Sequence, residues 1–96
     1  MKDRAHDEAM AELFQEDPAF ATDYINSILA DGNQEDLMIA LRQVAAACGG
    51  VAAIAEKARL NPTQLYRTLS AEGNPELRSL SALLKAMGMR LAVTHD

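Results

Sequence analysis

Between Asn61 and Ser70 the chain reads NPTQLYRTLS. Asn61 is a good helix cap and Pro62 a good first helical residue, because proline's missing N–H has no partner there in any case. Helical spacing then turns Leu65 and Leu69 to one side and leaves Pro62, Thr63, Tyr66, Arg67 and Ser70 on the other. The outward set suits hydrogen bonding to the edges and backbone of a nucleic acid. Arg67 carries a planar fork that matches guanine, and Thr63 offers a hydroxyl to a base or phosphate and a methyl to thymine. Gln64, at the margin, reaches a phosphate or an adenine, and the Tyr66 hydroxyl can donate to the backbone. A helix of this kind enters the major groove with its N-terminal residues toward the bases, and its N-terminal amides suit phosphate oxygens.

Each residue also has a plainer role open to it. Asn61-Pro62 is sufficient as a helix start, Tyr66 can lie flat over a core, and Arg67 can pair with Glu56 or another surface acid. The preceding residues favour the nucleic-acid reading. In VAAIAEKARL, Val51, Ile54, Ala55 and Ala58 share one helical face, and Leu60 is placed to plug the turn. Ala55 sits where a second helix crossing close by needs a small side chain.

The remaining elements read as helices too. Eighteen alanines against seven isoleucines and valines favour helix over strand. A short helix is expected over Asp7–Gln15, with Met10, Leu13 and Phe14 on one side. Asp17-Pro18 opens a second that runs to about Ala30, striped by Phe20, Tyr24, Ile25, Ile28 and Leu29, and Gly32 ends it in the left-handed region. Asn33 with Asp36 resembles a capping box for a third helix, whose inner face is Leu37, Ala40, Leu41, Val44 and Cys48. Gly49-Gly50 stops it. The fourth covers Val51–Ala58, the fifth Pro62–Ala71, and the sixth runs from about Leu77 to Met87 with Leu80, Leu83, Leu84 and Met87 buried. At the end of the chain the period changes: Met89, Leu91 and Val93 alternate with Arg90, Ala92 and Thr94, which is strand spacing. No second strand is in view, so this edge pairs with a second copy or another protein, or else it is a frayed tail packed by Leu91.

At this point the residues resemble the Xre/Cro-type helix-turn-helix, carried by AIAEKARLNPTQLYRTL. A closer resemblance continues through LYRTLSAEGNPELRSLSALLKAMGMRLAV: Leu65-Tyr66-Arg67, Leu69-Ser70, Gly73-Asn74-Pro75 and Met87-Gly88-Met89-Arg90-Leu91 are similar to the hallmark runs of HigA-like addiction-module antidote proteins. The resemblance covers nearly the whole chain, most specifically residues 50–93. It implies an all-α, lambda-repressor-like bundle with an N-terminal helical extension (residues 1–32), a helix-turn-helix unit (residues 33–96) and a short C-terminal β-strand, all in one compact domain. It also implies a transcriptional autoregulator that binds operator DNA as a dimer and neutralises a small toxin of the RelE/HigB-like class. The DNA-binding set would be Arg59, Asn61, Pro62, Thr63, Gln64, Tyr66, Arg67 and Ser70, and the dimer contacts Met89, Arg90, Leu91, Ala92 and Val93. The family turn carries glycine where this chain has Arg59. A non-glycine residue at positive φ is strained, so either the turn takes another shape or Arg59 tolerates the strain and becomes a phosphate contact.

Charge divides along the chain. Residues 1–36 hold two bases against ten acids, a net −8, and residues 37–96 hold seven bases against four acids, a net +3. Opposite halves suggest two surfaces with different partners, the acidic one matching a basic toxin and lying away from DNA. A solvated acidic helix pair is the plainer account. A stand-alone Xre-type, prophage-like repressor and a pure protein-interaction module fit the same helix-turn-helix.

An enzyme is not expected. His6 and His95 fall in the two tails, Cys48 falls on a buried face with no basic neighbour, and there is no glycine-rich phosphate loop or Cys/His metal spacing. No cofactor or metal is implied. The uncharged run Val44–Ala55 is about half a bilayer span and is broken by glycines, the N-terminus lacks a signal-peptide core, and the lone Cys48 fits a reducing compartment. A soluble cytoplasmic location is the expectation.

Overall fold

The structure is a computed structural model that describes residues 2–70 and 72–95, with side chains described from Glu8 onward. It is all-α, with helices α1 (Lys2–Glu16), α2 (Pro18–Asp31), α3 (Gln34–Ala47), α4 (Val51–Ala58), α5 (Pro62–Thr68) and α6 (Leu77–Ala86).

Three of these helices, α2, α3 and α5, start at a capping side chain. Asp17 accepts from the Phe20 amide at 3.3 Å, ahead of Pro18. Asn33 and Asp36 close a reciprocal capping box, with Asp36 N–H to Asn33 Oδ1 at 2.8 Å and Asn33 N–H to Asp36 Oδ2 at 3.4 Å. Three helix ends share one closure, in which an amide reaches back five residues across a left-handed residue. Gly50 N–H bonds to Ala45 O after α3, Leu60 N–H to Ala55 O after α4, and Met89 N–H to Leu84 O after α6. The left-handed residues are Gly49, Arg59 and Gly88. Gly32 differs from expectation. It ends α2 in an extended conformation (φ −86, ψ 175), because its N–H bonds to Ile28 O without a left-handed step.

Helices α1, α2 and α3 pack on one another, and α4 turns off α3 at 88° to meet α6 and α5. One apolar core runs through both groups, from Phe14, Ala21 and Ile25 through Met38, Leu41 and Val44 to Ile54, Leu65, Leu69 and Leu83. Phe14, Phe20 and Tyr24 form an aromatic cluster that joins α1 to α2, with centroids 5.4–6.4 Å apart. Two side chains tie distant segments. Gln15 Nε2 donates to Ala47 O at 3.1 Å, and Gln34 Nε2 donates to Gly73 O at 2.6 Å.

Several expectations need correction. Helix α1 begins at Lys2, not Asp7, so the backbone of His6 is helical and not a tail; the His6 side chain lies outside the described residues. Helix α5 ends at Thr68, and Ala71 is outside the described residues. The chain then doubles back, with Ser70 N–H on Arg67 O and Gly73 N–H on Ser70 O. Leu13, Phe20 and Leu29 are exposed although their spacing put them on inner faces. Among the described residues there is no strand: residues 89–95 carry no regular structure, because a single extended segment has no ladder partner within its own chain. No described helix is long and apolar enough to cross a membrane alone.

Gly73 is buried where any Cβ would be driven into the Thr68 carbonyl. Gly73→Ala is therefore expected to lower stability by about 2–4 kcal/mol, read as a reduced urea midpoint with an unchanged slope.

Candidate nucleic-acid interface

The surface built by α4 and α5 starts with the turn between them. Arg59 takes the left-handed conformation (φ 59, ψ 40), its amide bonded to Glu56 O at 3.1 Å and the next amide to Ala55 O at 2.8 Å. The strain foreseen for a non-glycine residue is thus present, and two backbone hydrogen bonds hold it. Leu60 then packs on the core as a plug. Asn61 turns the chain back into helix. Its side chain accepts from Gln64 N–H at 3.0 Å, and its carbonyl accepts from Leu65 N–H at 2.9 Å.

Packing fixes which side of α5 looks out. Ala55 is 0% exposed, and Ile54, Leu65 and Leu69 are buried with it. Among the helices, α5 rests on α4 alone, so its far side is open. Pro62, Thr63, Gln64 and Arg67 are exposed, and Tyr66 is 57% exposed. Among the described residues, the side chains of Thr63, Tyr66 and Arg67 have no hydrogen bond or ion pair within the chain, and Arg67 does not pair with Glu56. Arg59, exposed at the turn, adds a second guanidinium ahead of the helix.

Two of the expected contributions change. Ser70 is half-buried, and its Oγ donates to Arg67 O at 2.7 Å, so the hydroxyl caps the end of α5 instead of facing out. The Gln64 amide, one of the N-terminal donors suited to phosphate, is already satisfied by Asn61. The expected dimer residues divide as well. Met89 is half-buried on the core and lines a cavity with Phe14, Val44 and Met87, whereas Arg90, Leu91, Ala92 and Val93 are exposed.

Cys48 also departs from expectation. It is exposed at the end of α3 and has a basic neighbour in charge terms, Lys57. Partial burial nevertheless pushes its thiol above the ordinary value of 9.0, and Lys57 opposes this only in part. Lys57 lies nine residues on, across the Gly49-Gly50 turn that sets α4 at 88° to α3, so sequence spacing does not show the relation. Among the described residues, no three of His, Cys, Asp and Glu are placed to hold a metal ion.

Residues 6–95 match the family described as "Probable addiction module antidote protein". The chain belongs to that family. Over 73 residues it is 33% identical to an uncharacterized protein of Haemophilus influenzae (strain ATCC 51907 / DSM 11121 / KW20 / Rd), a stretch covering 76% of this chain and 74% of the relative. No solved structure matches it. In this antidote-family chain, the α4–α5 face and the acidic N-terminal half are thus parts of one folded unit sharing a core.

Two outcomes follow. Arg59→Gly is expected to raise stability by about 0.5–1 kcal/mol, since a left-handed non-glycine residue costs about 1–2 kcal/mol and the extra unfolded-state entropy of glycine offsets part of the gain; urea titration reads it. Cys48 is expected to react with iodoacetamide without denaturant, but more slowly at pH 8 than an unstructured cysteine peptide. Because the folded thiol holds its proton more tightly, its contribution to stability is present below the ordinary thiol pKa and is lost as pH rises through the folded value.

Proposed function

We propose that this chain is the DNA-binding antidote of a toxin–antitoxin module, with α4 and α5 as an Xre/Cro-type helix-turn-helix in a lambda-repressor-like bundle, close to the HigA-like group. The observation that carries this reading is the outward side of α5: Thr63, Tyr66 and Arg67 are exposed and unengaged within the described chain, on a short helix backed by the buried Ala55. Helix α4 lies across the duplex backbone and α5 enters the major groove. Arg67 forms a bidentate contact with guanine, Thr63 and Gln64 read the neighbouring base or its phosphate, and Arg59 and Tyr66 hold the backbone. Asn61 and Pro62 set the start of the helix at the groove.

On this reading the protein represses its own operon as a homodimer and neutralises a small basic RelE/HigB-like toxin. Exposed Leu91 and Val93, in a segment of strand spacing without a ladder partner, support pairing of residues 89–93 with a second copy. The net −8 of residues 1–36 supports a basic partner on a different surface from DNA.

The test is binding to a duplex from the chain's own promoter. Arg67→Ala is expected to weaken binding by about 1–3 kcal/mol and to relax sequence choice at one base pair. In the parent, affinity falls with salt at a log–log slope of about −0.9 per phosphate neutralised. An Arg67→Ala protein that binds as tightly and as selectively as the parent would show that α5 is not the reading helix.

A further inference from the structure

A groove of about 250 Å³ opens between the end of α2, the start of α3 and the segment leading into α6. Its apolar lining comes from Ile28, Leu29, Leu37, Pro75 and Leu80. Leu29, in the lining, is 53% exposed; Leu77, outside the lining but one turn before Leu80 on α6, is 71% exposed and extends the apolar surface past the groove's edge. Apolar surface of this kind, joined to a groove, marks an interaction site more often than isolated exposed leucines do.

The charges around it point to the occupant. Asp31, Glu35, Asp36, Glu72 and Glu76 are all exposed, and each lies within two residues of a lining residue. Arg78 is the one base as near in sequence, but it precedes Leu80 by two residues and so points to the opposite side of α6. An apolar trough with a carboxylate rim repels a phosphate backbone. It complements a polypeptide segment whose apolar side chains are flanked by Lys or Arg.

We infer that this groove docks a basic amphipathic segment of a partner protein. The inference rests on the antidote reading, and it places that partner on α2, α3 and α6, on residues other than those of the outward side of α5. Leu29 and Leu77 act as apolar anchors, and Asp31 and Glu76 set orientation and speed association.

The probe is the purified small basic polypeptide encoded next to this chain's gene, titrated calorimetrically against the full chain. A Leu29→Ser/Leu77→Ser protein is expected to lose about tenfold or more in affinity. It should keep the parent's circular dichroism and its binding to own-promoter DNA, since both leucines are mainly exposed. An Asp31→Asn/Glu76→Gln protein, which leaves the apolar surface intact, is expected to bind more weakly and with less dependence on salt. If both variants bind the polypeptide as the parent does, the groove assignment is overturned and the antidote reading stands. If the parent itself does not bind the polypeptide, the antidote reading falls and takes the groove with it. If the parent sediments as a dimer and the serine variant as a monomer, the groove is a self-interface and the assignment is again overturned.

Discussion

The contact between α4 and α5 is the constraint on which the other features hang. Ala55 has no exposed surface, and so small a side chain lets Leu65 and Leu69 reach the core close beside Ile54. A seven-residue helix is too short to be stable alone, so its conformation comes from that burial and from the Asn61 cap. Because α5 is held from one side only, its polar residues are presented without being needed for folding. The same economy explains the turn. Arg59 sits in a left-handed conformation because Leu60 must swing back to bond with the Ala55 carbonyl and plug the crossing.

Charge then separates the molecule's surfaces. The acids concentrate on α1, α2 and the first turn of α3, while Arg59 and Arg67 are exposed on the α4–α5 turn and on α5, which packs among the helices on α4 alone. On the proposed reading, this division lets one small domain meet an acidic duplex and a basic polypeptide on different surfaces. On the same reading, a net negative protein can still present a helix to a duplex, because the charges beside α5 matter to the duplex more than the total charge does.

Much of this was legible in the residues because local rules and packing agree. Asp17-Pro18, Asn33 with Asp36, and Asn61-Pro62 each name a helix start through a mechanism that works within four residues, and all three helices begin there. The inward roles of Ile54, Ala55, Leu65 and Leu69 followed from spacing alone. What was not legible depends on chain reversal or on length. Ser70 reads as outward by helical period, but α5 stops at Thr68, and the hydroxyl turns back to the Arg67 carbonyl. Gly73 carries no periodic signal, yet its missing side chain is what lets the chain pass the Thr68 carbonyl and meet Gln34. The alternation over residues 89–93 is a true sequence pattern whose expression as a strand requires an edge that one chain does not supply. Leu29 has the spacing of a core residue and remains outside it, because the groove that it lines is left open.

The central claim, that the outward side of α5 is the surface that meets DNA, is tested most directly by amide and side-chain NMR shifts on titration with a duplex from the chain's own promoter. The account predicts the largest changes at Arg59 and through residues 62–67, with Leu29 and Leu77 unmoved. Changes confined to α1 and α2, or none at low salt, would contradict it.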